Sequence, residues 1–154
     1  MEVMTQSKNS ITKLNLVFKN NNNGITDEIR KYLNTWALKQ QNKEYFSVIL
    51  NTLPVTEIDY IIGANNAVIC ANFIKKMKKQ PQQYLKYTIF VNSNPIIIGL
   101  LNMMFKITKP CADFYIVKTN EQGKQLDTLL SKNNSLELSA YLIINEIKYI
   151  KPGK

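Results

Sequence analysis

The sequence predicts an α/β domain: a mostly parallel, four-stranded sheet with packing helices, in the order β-α-β-α-β-α-β-α plus a C-terminal segment. Two observations predict it. Short β-branched runs recur at 11–18, 45–51, 87–92 and 113–119, and segments of helical periodicity separate them. Strands that alternate with helices imply parallel pairing through right-handed crossovers. A length of 154 residues, 45% hydrophobic and 20% charged, fits one globular domain over 10–150. A chain of this size buries roughly two-thirds of its unfolded surface.

Residues 1–9 read as a polar, mobile tail. ITKLNLVF (11–18) places Leu14, Leu16 and Phe18 on one face of a strand, and NNNNG (20–24) has no apolar side chain to bury. A helix follows with Thr26 as its N-cap, Asp27 and Glu28 in the positive first turn, and an inward stripe of Ile29, Tyr32, Leu33 and Trp36. YFSVILN (45–51) is a buried strand, and 52–59 is a loop containing Pro54. A second helix over 64–79 buries Ala67, Cys70 or Ala71, Ile74 and Met77, and ends in Lys75, Lys76, Lys78 and Lys79, where cations complement the helix dipole. YTIFVN (87–92) is the third strand. Asn94 and Pro95 open a third helix to Thr108. DFYIVKT (113–119) precedes a helix to Leu130 that Thr119 and Gln122 start as a capping box. LELSAYLIINEIKYI (136–150) reads as a helix through Leu136, Ala140, Ile143, Ile147 and Ile150, although its first half also alternates like a strand.

Composition removes several chemistries. There is no histidine, hence no histidine metal site, no Ser-His-Asp or Cys-His catalysis, and no use of the commonest general base. Cys70 and Cys111 lack CxxC spacing and read as reduced, buried thiols. Met1–Ser10 has no apolar core of a secretory signal, and the apolar run 95–105 is too short for a bilayer. The expectation is a soluble, intracellular protein of the cytoplasm or a viral particle.

The net charge of +9 rests on nineteen lysines and one arginine, Arg30, beside nineteen asparagines and nineteen isoleucines. That bias is typical of AT-rich genomes, as in many protists, their large DNA viruses or mollicutes. Lysine holds phosphates, but the bidentate reading of guanine by arginine is nearly absent.

Candidate sites are few. Glu57 and Asp59 share one loop at the carboxyl end of the second strand, where ordinary solvation accounts for both. No GxxxxGK[ST], GxGxxG or GxSxG occurs. The Ser93-Asn94-Pro95 turn is explained by capping as well as by anion binding. Lys75, Lys76, Lys78 and Lys79 form a candidate contact for an anion or nucleic acid, against the plainer reading of a solvated helix end. The third helix is the anomaly. Its non-apolar residues, Pro95, Gly99, Asn102 and Lys106, form one narrow stripe, so its apolar arc exceeds the ~100° that a helix on a sheet needs. VTEIDYIIGANNAV (55–68) adds Tyr60, Ile61 and Ile62 at a strand-to-helix turn.

VTEID (55–59), VNSNP (91–95) and ADFYIVKTNEQGKQLDTLL (112–130) resemble the turn, loop and last strand and helix of the STAS domain, the fold of anti-sigma-factor antagonists. The likeness is one of pattern and covers about residues 45–130. It departs from the family twice. STAS domains open with a strand pair, and only one strand is read here before the first helix. Tyr60 stands where the family carries its regulatory serine, so the resemblance implies no phospho-serine switch. In that family the turn and following helix make up the partner-docking face. The resulting expectation is a non-catalytic protein–protein interaction module, part of a larger assembly or a homo-oligomer. Tyr60, Ile61, Ile97, Leu101 and Met104 are its partner contacts, and no cofactor or metal is expected. The rival reading is an Alba-like, lysine-dependent nucleic-acid binder, carried by the basic composition and IIGANNAVICANFIKKMKK (61–79), although the Alba-type lysine loop near the domain start is absent.

Overall fold

The structure, a computed structural model, describes residues 1–8, 11–19, 24–55, 60–132 and 134–153. Its elements are β1 (Glu2–Lys8), β2 (Ile11–Val17), α1 (Gly24–Gln41), β3 (Phe46–Asn51), α2 (Tyr60–Lys78), β4 (Leu85–Val91), α3 (Pro95–Ile107), β5 (Asp113–Val117), α4 (Asn120–Lys132), α5 (Ser135–Ile144) and β6 (Lys148–Ile150).

Among the described residues the sheet has six strands rather than four, in the chain order β1-β2-β3-β4-β5-β6, and it is mixed. β2 to β5 pair in parallel, while β1 and β6 add antiparallel edges. The segment read as a tail supplies β1. Its residues are mostly polar, so burial periodicity gave no sign of it, and backbone pairing with β2 from Glu2↔Val17 to Lys8↔Ile11 is what orders it.

Each parallel crossover advances one strand in the same direction. Successive crossovers of one hand therefore leave α1, α2 and α3 on one face. Strand alternation fills the layer beneath them with Leu14, Leu16, Phe46, Val48, Leu50 and Phe90. The opposite face carries Ile49, Ile89, Val91, Tyr115 and Val117 against Leu126 of α4. Gly123 lies on that face, and a Cβ there would meet Val91, Ile49 and Ile89 at 3.4–3.6 Å, ordinary contact distances.

Local signals explain the helix ends. Asn94 Oδ1 accepts from the Ile96 N–H at 2.9 Å. Thr119 Oγ1 accepts from the Gln122 N–H at 3.1 Å, and Gln122 Oε1 accepts from the Lys118 N–H at 3.0 Å. α1 starts at Gly24, so Thr26 lies inside its first turn rather than at the cap. The 136–150 segment splits: α5 ends where Glu146 takes a left-handed φ of 53°, and Lys148–Ile150 then pairs with β5. Among the described residues, no helix is long and apolar enough to cross a membrane.

Candidate functional site

The expected partner contacts on α3 turn inward. Ile97 and Met104 are 9% and 6% exposed, and Leu101 is half-buried against the same core. In the folded chain these three side chains of α3 pack toward α2 and the sheet, Ile97 and Met104 fully and Leu101 in part. Tyr60 and Ile61 begin α2, but their side chains, like Glu57 and Asp59, lie outside the described residues. The outward apolar residues of α3 are Ile96, Met103 and Ile107, at spacings of seven and four. The wide arc is thus divided between the core and the surface. The C-terminal segment does not cover it with a helix, because α5 packs on the other face of the sheet.

Ile97, Leu101 and Met104 instead line an apolar cavity of about 150 Å³ between α1, α2, α3 and the sheet. Aromatic rings wall it. Trp36 lies between Tyr32 and Phe73, at centroid distances of 6.1 and 5.1 Å, and Phe114 lies between Phe90 and Phe105, at 6.1 and 4.8 Å. No lysine, arginine, aspartate or glutamate is among its described lining residues. Cys70 and Cys111 also line it, and burial pushes both thiols up to about 11. They are poor nucleophiles near neutrality, since the thiolate is the reactive form.

The buried polar residues of the cavity's described wall include Thr52, Thr88 and, at 2% exposed, Asn66 of α2. Its Nδ2 and its Oδ1 have no hydrogen-bond partner among the described residues, and neither does Nε1 of Trp36 in the same wall. Asn92, equally buried at 3%, shows the usual arrangement. Its amide donates to Thr52 Oγ1 at 2.8 Å, and its carbonyl accepts from the Asn94 N–H at 2.7 Å. Asn66 stands one turn before Cys70 and two before Ile74, on the stripe that buries α2. An asparagine heading an otherwise apolar stripe was the available signal.

The lysine cluster closes α2 as expected. Lys75, Lys76 and Lys79 are exposed, whereas Lys78 is half-buried and its Nζ donates to Thr108 Oγ1 at 3.2 Å. A second polar group lies under α4, where Asp127 accepts from Lys13 Nζ at 2.9 Å and from the Tyr87 hydroxyl. Burial, then the hydrogen bond to Asp127, raises the Tyr87 hydroxyl far above its ordinary range. Among the described residues, no three acidic or cysteine side chains are grouped to hold a metal ion.

Among the described residues, α5 presents the most exposed aliphatic side chains. Leu136, Ile143 and Ile144 are 82%, 78% and 78% exposed, and no residue of the helix is buried. Its inner side is Leu138, Tyr141 and Leu142, packed toward α4. The Leu136–Ala140–Ile143 part of the stripe read from sequence therefore points outward. No protein-family model, curated protein or solved structure matches the chain.

Proposed function

We propose that the chain is a non-catalytic interaction module on a STAS-like scaffold, and that it self-associates through the outward face of α5. The observation that carries this reading is the row Leu136, Ala140, Ile143 and Ile144, exposed to solvent on a helix otherwise seated on α4. The antiparallel pair β1–β2 supports the scaffold, because it supplies the opening strand pair of the resembled family. The row is its own complement. Leu136 and Ile144 stand four residues either side of Ala140, so an antiparallel pair of α5 helices sets Ala140 against its copy and each Leu136 against the other Ile144. Two-fold contacts of this isologous kind are the commonest in homo-oligomers. A ten-residue helix is only ~15 Å long, so the contact is small and the dimer weak.

The experiment is light scattering after size exclusion over a range of concentrations. Wild type is expected to move from monomer to dimer, and to do so more readily with added salt, which screens the repulsion between two copies of charge +9. Ile143→Asp should stay monomeric with an unchanged thermal transition. Ile61→Asp, at the turn where the family docks its partners, should still dimerise. A monomeric wild type at every concentration, or loss of the dimer in Ile61→Asp alone, would overturn the assignment to α5.

A further inference from the structure

We infer that the cavity under α1, α2 and α3 is a binding site for a small neutral amide, a molecule with an apolar body of about one aromatic ring and a carbonyl beside an N–H. Size comes first. A cavity of about 150 Å³ is large enough to hold benzene, and this one has that volume. Charge comes second. The described wall contains no ionised side chain, and an isolated charge there is costly, so the ligand is neutral.

The polar atoms fix the class. Buried side-chain amides nearly always find partners, and Asn92 in this protein does. Asn66 leaves both its NH₂ and its carbonyl unpaired in the cavity wall, and Trp36 leaves an indole N–H. The unmet set is therefore two kinds of donor and one acceptor. An amide answers in kind: its carbonyl has two lone pairs for the donors, and its N–H serves the Asn66 carbonyl. An alkane or simple arene would fill the space and leave all three atoms unpaired. A carboxylate would accept from the donors but would bring a charge and offer nothing to the carbonyl.

Trp36 is the chain's single tryptophan and lines the site, so one indole reports on it. The test titrates the full chain with benzamide, toluene and benzoate, reading Trp36 fluorescence and the indole N–H resonance. Benzamide should bind at least tenfold more tightly than toluene, and it alone should shift the indole N–H as for a new hydrogen bond. Benzoate should bind most weakly. In Asn66→Leu, which keeps the shape, benzamide should fall to the affinity of toluene. The inference fails if wild type binds toluene as well as benzamide, if benzoate matches benzamide, or if none of the three perturbs Trp36. The wild-type indole signal decides these outcomes even should Asn66→Leu not fold.

Discussion

Replacing Asn66 by leucine should stabilise the empty protein. The wild-type side chain gives up its hydration on folding, is 2% exposed, and regains no hydrogen bond at either amide atom among the described residues. Leaving such a group unsatisfied costs about 1–3 kcal/mol, and replacing it by an apolar group of similar shape removes that penalty. Leucine also extends the apolar wall beside Cys70 and Ile74. The expected gain is therefore about 1–3 kcal/mol, or about 2–12 °C at the 2–4 °C per kcal/mol usual for domains of 150–250 residues. Urea unfolding followed by Trp36 fluorescence should show a higher midpoint with an unchanged slope. A lower midpoint would mean that Asn66 has a partner essential to the fold, and the reasoning from its unpaired amide would be wrong.

Gly99 lies in the exposed part of α3 with nothing within 4 Å of an added Cβ, so Gly99→Ala should stabilise by roughly 0.8–1 kcal/mol in the same urea assay; no gain would mean that this turn is not helical in solution. The raised Cys70 and Cys111 thiols should react with a disulfide reagent at pH 8 far more slowly than free cysteine. Their shift from 9.0 to about 11 leaves about 100-fold less thiolate, and labelling at the rate of the urea-unfolded chain would contradict their burial. Nucleic acid should bind no more tightly than the nonspecific ~10⁻⁴–10⁻⁶ M at physiological salt. Tighter binding by fluorescence anisotropy, with a salt slope flattened by alanine at Lys75, Lys76, Lys78 and Lys79, would instead favour the Alba-like reading. Ile74→Asp places an unpaired charge at a site 6% exposed and should unfold the domain, as loss of the near-ultraviolet circular dichroism signal would report. A folded Ile74→Asp would mean that the core around the cavity admits water.

Much of the fold was legible because periodicity is a local record of burial. Leu14, Leu16 and Phe18 alternate because one face of β2 meets α1, and Asn94 and Thr119 announce helix starts through chemistry that acts within three residues. β1 was not legible, since an edge strand is held by backbone pairing that leaves no side-chain period. The same limit hid β6, where a single left-handed Glu146 ends α5 and changes the element. For the site, sequence located Ile97, Leu101 and Met104 on an over-apolar helix but could not say which arc met the core. That depends on how α3 packs against α2 and the sheet. Asn66 differs from the helix-capping Asn94 in sitting on the apolar stripe of α2 with Cys70 and Ile74, but its spacing alone does not show that its amide goes unpaired. The outward turn of Leu136 and Ile143 is not readable from periodicity for a related reason: α5 carries apolar residues on both sides, and only α4 decides which side is inner.

Self-association through α5 is tested most directly by a cysteine at the proposed two-fold axis. Ala140 is exposed on the outward row, and Lys124 is exposed on α4. Mild oxidation of Ala140→Cys should give a covalent dimer well above the background from Cys70 and Cys111 in wild type, while Lys124→Cys should not. Dimer formation by Ala140→Cys no greater than that of wild type, or equal dimer formation by both variants, would contradict a contact centred on α5.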